Sequence, residues 1–313
     1  MRYASGIFKP VSAQLCICAQ AVPTAFSLCF GFLKHRRRNS LSVKAAQSLL
    51  RRNGIMQGKG FFPRKTYIFF AMDIFCRSFA QAARRCVVLR HAYNTLREMA
   101  KAAADRGLEI LGITEHAPMM PGTCHNYYFH NLKTVPRELY GIRLFLGAEL
   151  NILNPQGEVD LNEAELRGMD IGIASLHLPC MKPGTREENT SAYLNAMKNP
   201  YVNIIGHPDD GRYEVDYEAL VQGAKEYGKI LEVNNHSLVP NSFRQNAREN
   251  DVKMLKFCMK YQVPVVMDSD AHFDTHIAEF DAARGLLEEL DFPEELVVNH
   301  SVNALRGYIN AIK

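Results

Sequence analysis

Thr114-Glu115-His116 closes a short apolar run, Leu108-Glu-Ile-Leu-Gly-Ile113, and Ala117-Pro118 stops its continuation. A histidine just past the end of a buried strand can hold a metal ion. The pattern recurs. Asp170-Ile-Gly-Ile-Ala174 leads to Ser175-Leu-His177, and Val202-Asn-Ile-Ile205 leads to Gly206-His207-Pro208. Val263-Pro-Val-Val-Met267 leads to Asp268-Ser-Asp270-Ala-His272, and Arg143-Leu-Phe-Leu146 to Gly147-Ala-Glu149. One such histidine alone reads as a capping or packing residue. Five strand ends that each deliver an imidazole or a carboxylate are hard to explain by packing. Together they are the ligand types of divalent zinc, iron or manganese.

The elements that must position these groups alternate. His91 stands at the edge of a helix whose apolar stripe is Leu96, Met99 and Ala103, stopped by Gly107. Further helices are predicted over Leu161–Gly168, Ala192–Met197, Asp216–Tyr227, a segment ending near Tyr261, and Ile277–Leu290. Ser301 caps a last one. Lys229-Ile-Leu-Glu-Val233 is a sixth strand, ending in Asn234-Asn235-His236, and Leu296-Val-Val-Asn299 a final strand. Residues 119–131, with His125, Tyr127, Tyr128, Phe129 and His130, form a loop that either covers the site or packs on its rim. Strand–helix alternation of short period means α/β with parallel strands. Ligands drawn from many strands favour a closed barrel, whose strand ends gather the active site. An open doubly wound sheet would collect them at one switch point.

The net charge of +4 hides two compositions. Residues 1–86 hold fifteen of the 37 Lys and Arg and a single acid, Asp73. Residues 87–313 hold 22 basic and 32 acidic residues, a net of −10. Five of the eight cysteines and one of the eleven histidines, His35, precede residue 87. Val11 to Leu33 is uncharged and followed by Lys34-His-Arg-Arg-Arg38, which suits a weak membrane anchor. Ala19-Gln-Ala21 suits a signal-peptidase site, and the Arg- and Ser-rich start suits a transit peptide. A basic tail for nucleic acid lacks interleaved aromatics. The favoured reading is a segment foreign to the protein, from a wrong start or a shifted reading frame. The chain is thus expected to comprise an atypical, non-native or disordered segment, 1–86, and a catalytic domain, 87–313. No CxxC pair or disulfide framework is visible, so a reducing cytosol is the expected compartment.

His91-Ala-Tyr-Asn-Thr-Leu96, Ile113-Thr-Glu-His-Ala-Pro118, Gly147-Ala-Glu149, His177, Gly206-His-Pro208 and Asp268-Ser-Asp-Ala-His272 together resemble the PHP (polymerase and histidinol phosphatase) superfamily. Within it they resemble the YcdX-like bacterial phosphatases, over about residues 88–313. The resemblance implies an α/β fold, a distorted (β/α)7 TIM-like barrel, with a trinuclear site of zinc, or sometimes manganese or iron. It also implies hydrolysis of phosphate monoesters. Carried over by motif, His91, His116 and His272 would hold one metal and Glu149, His177 and His207 another. Glu149 would bridge to a third metal that Asp270 also binds. Glu149, Asp270 and His272 would act at the reacting centre, and Arg244 and Arg248 would bind the phosphate.

One departure stands out. The family's first strand carries an H-x-H pair eight and six residues before the His91 position, where this chain has Ala83 and Arg85. Its first strand is therefore expected to be disrupted, and its activity impaired. The alternatives are a histidinol-phosphate phosphatase, and an inactive metal- or phosphate-binding remnant. The expected partners are a small phosphorylated substrate and a second copy of the chain, with no nucleic acid and no membrane.

Overall fold

The computed structural model describes residues 68–71 and 93–309, within one compact unit, Gly60–Lys313. Eight strands make one sheet: β1 (Ile68–Ala71), β2 (Ile110–His116), β3 (Glu138–Leu139), β4 (Ile142–Asn151), β5 (Ile171–Ser175), β6 (Ile204–Ile205), β7 (Ile230–Asn234) and β8 (Val265–Asp268). Seven are parallel neighbours in chain order, and short β3 pairs antiparallel with β4. Parallel neighbours need long crossovers. These carry α1 (Leu96–Asp105), α2 (Asn126–Asn131), α3 (Glu163–Leu166), α4 (Arg186–Met197), α5 (Tyr217–Tyr227), α6 (Asn235–Leu238) and α7 (Ala247–Tyr261). After β8 come α8 (Asp281–Glu289) and α9 (Val302–Arg306). The result is the expected distorted (β/α)7 TIM-like barrel.

Local chemistry sets the helix ends. Thr95 and Glu98, Asn162 and Glu165, and Thr185 and Glu188 form reciprocal capping boxes that start α1, α3 and α4. Gly228 ends α5 at φ 64, a left-handed turn that costs glycine little. The outer face of the sheet packs on the helices through residues such as Met99, Leu111, Leu144, Leu220, Leu255 and Leu286. The inner face has its own apolar floor. Ile110, Phe145, Ile171, Ile204, Ile230 and Val266 meet there, sealed from below by Leu305 and Ile309.

The structure differs from the sequence expectation in four places. A strand forms at Ile68–Ala71, before the expected boundary at residue 86, and pairs with Ile110–Ile113. The sequence from Ile68 to Asp73 contains no histidine, so this strand brings no H-x-H pair. The expected strand Leu296–Asn299 is instead two 3₁₀ turns with one bridge, Val265 to Val297. The reason is Asn299, whose amide takes the Met267 N–H at 2.7 Å and donates to the Met267 carbonyl at 2.8 Å, standing in for strand pairing. Among the described residues no ladder joins β8 to β1, and the turn Val298–His300 lies beside β1. The expected loop 119–131 holds a helix, α2, with His125 as its N-cap and Phe129 buried. Finally, β2 and β4 run on through His116 and Glu149, which lie in the strands rather than beyond them. The anchor, leader and transit readings of residues 1–38 fall outside the described residues. No helix among the described residues is long and apolar enough to cross a membrane.

Candidate metal centre

Side chains alternate faces along a strand, so counting by twos from the apolar floor climbs the inner wall. On β2 the steps are Ile110, Gly112, Thr114 and His116; on β4 they are Phe145, Gly147, Glu149 and Asn151. On β5, Ile171, Ile173 and Ser175 lead to His177. On β7 the steps are Ile230, Glu232, Asn234 and then His236; on β8 they are Val266, Asp268, Asp270 and His272. β6 breaks the rule. A Cβ on Gly206 would fall 2.2 Å from Ser175 Oγ, so only glycine fits, and His207 follows at φ 29. Asp270 also has a positive φ, 49. Such backbone is strained for non-glycine residues, and here it aims two side chains that the motifs single out.

His116 and Glu149 are direct partners in the β2–β4 register. His116 Nδ1 lies 2.6 Å from Glu149 Oε2. Oε1 of the same carboxylate is 3.2 Å from His177 Nε2 and 3.1 Å from His207 Nε2. Burial pushes the Glu149 carboxyl up, but His116 and His177 outweigh it and hold it well below the usual carboxylate range. Burial pushes the imidazoles of His177 and His207 down, for His207 with help from Arg244. Neutral imidazoles around an ionised carboxylate are the form in which these groups bind metal.

The facing wall is built from acids. Asp270 Oδ2 accepts from Asn234 Nδ2 and from Arg244 Nη2, each at 3.1 Å. Arg244 also donates to Ser237 Oγ at 3.0 Å. Burial pushes the Asp270 carboxyl up, but His272 and Arg244 outweigh it and hold it low. Burial and then Asp270 push Asp268 up to about 7. Glu232, which accepts the His207 N–H, is raised well above its ordinary range by burial and then by Asp268 and Asp270. Burial works against the Arg244 charge, yet Asp270, Asp209 and Glu232 together raise its pKa.

A cavity of ≈ 410 Å³ opens over both walls. His116, His177, His207, Arg244, Asp270 and His272 line it, with Met120, Leu178, Pro179 and Phe243 toward the mouth. Its size and mixed lining suit a small molecule with a polar end. Of the residues singled out in the sequence, Arg244, His116, His177, His207, Asp270 and His272 line this cavity, and Glu149 lies fully buried against three of those imidazoles. His91 lies outside the described residues, as do Ala83 and Arg85. The nearest described backbone, the Tyr93 N–H, donates to the His272 carbonyl at 3.3 Å, and Asn94 Oδ1 accepts the Asp274 N–H at 2.9 Å. The structure separates the two arginines. Arg244 precedes α7, whereas Arg248 sits on the helix's exposed face, paired with Glu289 and off the cavity. His236 lines the cavity with its ring 6.4 Å from that of His272. Sequence reasoning passed over Asn151, Asp160, Glu232 and Asn234. The period of two, run onward from Glu149 and back from His236, would have found Asn151, Asn234 and Glu232.

The donor set fits a divalent ion. His116, Glu149 and His177 each offer one ligand atom within 4.8 Å of the others. Among the described residues, buried Asp270 Oδ1 and His207 Nδ1 have no hydrogen-bond partner. Buried polar atoms left so are costly unless something else completes them.

The PHP domain model matches residues 85–238. A probable phosphatase from Caldicellulosiruptor saccharolyticus is 49% identical over 212 residues, 68% of this chain and 87% of that protein. One from Clostridium novyi is 42% identical over 221 residues, 71% of this chain and 90% of that protein. Among solved structures, histidinol phosphate phosphatase from Lactococcus lactis, complexed with zinc, histidinol and phosphate, has a TM-score of 0.48 at 16% identity. That match covers 74% of this chain and 95% of the other.

Proposed function

The chain belongs to the PHP domain family and is a phosphatase, and we propose that it hydrolyses phosphate monoesters at a centre of divalent metal ions on the inner rim of the barrel. The observation that carries this reading is the convergence of His116, His177 and His207 on both oxygens of one buried carboxylate, Glu149. In this reading Glu149, His177 and His207 would hold one ion, His116 and His272 with His91 a second, and Asp270 with Glu149 a third. The nitrogen-rich set favours zinc, and the carboxylates admit manganese or iron. Bound ions would supply Lewis acidity toward the phosphoryl oxygens and a low-pKa water.

The chain's own residues do the rest. In this reading Glu149, Asp270 and His272 act at the reacting centre. Arg244, fixed by Asp270 and Ser237, presents its remaining N–H groups to the phosphate oxygens. Arg248, paired with Glu289 away from the cavity, is left out of this role. Met120, Leu178 and Phe243 exclude water around the organic part of the ester. Without the H-x-H pair one ion would lack two ligands, so the proposal includes lowered activity. A reducing, cytosolic setting, expected from the scattered cysteines of the sequence, belongs to the same reading.

The test is hydrolysis of p-nitrophenyl phosphate by the full chain with zinc or manganese, beside metal analysis. Metal-dependent turnover above that of Glu149→Gln supports the reading. Bound metal without turnover favours the remnant, and no bound metal at all overturns both.

A further inference from the structure

The amide of Asn151 sits between the metal centre and a carboxylate outside it. Asn151 is fully buried at the end of β4. Its Nδ2 donates to Asp160 Oδ2 at 2.7 Å and to the Ala117 carbonyl at 3.1 Å. Both of these are acceptors. Asp160 is committed as one, since its Oδ1 takes the Asn151 N–H at 3.0 Å and its Oδ2 the Met119 N–H at 2.9 Å. Turning the amide over would set its oxygen against two oxygens, so its orientation is determined by the donor count. Asn151 Oδ1 therefore faces the other way, 2.7 Å from His177 Nδ1. An amide oxygen only accepts, so Nδ1 of His177 must carry the hydrogen.

We propose that Asn151, oriented by Asp160, is a positioning residue that locks His177 in the Nδ1–H tautomer and so presents its bare Nε2 to the metal centre. This rests on the metal-centre reading above. With Nδ1–H committed, Nε2 is the ring nitrogen left to face Glu149 Oε1 and His207 Nε2, each 3.2 Å away. A cation bound among these three atoms would take the place of any proton they share. The same carboxylate fastens the ends of two strands, because Met119 follows β2 and Asn151 ends β4. The orientation of one ligand and the spacing of two others are thus set by a single side-chain relay, as outer partners of metal-binding histidines commonly do.

The test uses the full chain labelled with ¹⁵N-histidine, first with chelator and then titrated with zinc chloride. Long-range ¹H–¹⁵N correlation reads the tautomer of His177 directly, without activity and without any variant. The expected result is a hydrogen on Nδ1 before zinc, with Nε2 shifting on addition. His177 found with a bare Nδ1 in the chelated wild type overturns the proposal. In Asn151→Leu the lock should be lost and zinc affinity should fall about 10- to 100-fold. The double change Asn151→Asp with Asp160→Asn keeps an acceptor against Nδ1 and should restore the tautomer. A tautomer unchanged in folded Asn151→Leu also overturns it. A wild type that holds Nδ1–H but binds no zinc sinks the metal reading and leaves the tautomer assignment standing.

Discussion

The two walls of the barrel mouth solve the same electrostatic problem in opposite ways. On β2 and β4 and after β5 and β6 one carboxylate, Glu149, is surrounded by His116, His177 and His207, and burial lowers the pKa of the last two. On β7 and β8 the acids Glu232, Asp268 and Asp270 crowd together around one permanent cation, Arg244. The first wall sets one ionised carboxylate among imidazoles. The second carries its own cation. A buried charge needs a partner, and an arginine reached from the loop before α7 supplies it where histidine cannot.

Glu149→Gln breaks the first wall most severely. It removes the only charge that three imidazoles share, so bound zinc should disappear and turnover should fall on the order of 10³-fold. Metal analysis and p-nitrophenyl phosphate kinetics check this. Next in size is repair. Replacing the segment before His91 with an apolar strand carrying H-x-H, or in a smaller change Ala83→His with Arg85→His, should add a metal equivalent and raise phosphatase activity. Full activity and three ions in the present chain would show that other residues already supply the ligands.

Arg244→Met tests the second wall. It leaves Asp270 and its buried neighbours without a counter-charge, and the cost should be about 3–5 kcal/mol in chemical denaturation. His116→Ala, in the first wall, should cost much less stability than this while losing metal.

The walls also titrate with opposite sign in chelated protein. The lowered pKa of His177 and His207 means that the unfolded chain binds more protons, so stability is lost as pH falls below their ordinary 6.5. Asp268 is raised from 3.8 to about 7, so its contribution is complete below 3.8 and is lost as pH rises through about 7. Between 3.8 and about 7 the two contributions therefore run against each other, and histidine variants should remove the loss on the acid side and leave a stability that falls as pH rises in a thermal melt series. The smallest effect is expected for Arg248→Ala, whose exposed pair with Glu289 lies off the cavity. Its KM and melting temperature should match the parent.

Sequence alone determined the parallel α/β alternation and the strand ends that bear His116, His177, His207, Asp270 and His272, because strand period and residue type are local properties. That Ala83 and Arg85 stand where the family has a ligand pair is what the resemblance implies, not the spacing alone. Only the tertiary structure decided that Glu149 is shared by three imidazoles, since that follows from the register pairing His116 with Glu149. It alone parted Arg244 from Arg248, because α7 begins between them, and it alone turned Leu296–Asn299 from strand to 3₁₀, because a side-chain amide took over the pairing. Asn151 and Asp160 look like ordinary polar residues in the chain. Their effect depends on which donor meets which acceptor across strands, and spacing along one strand does not encode that.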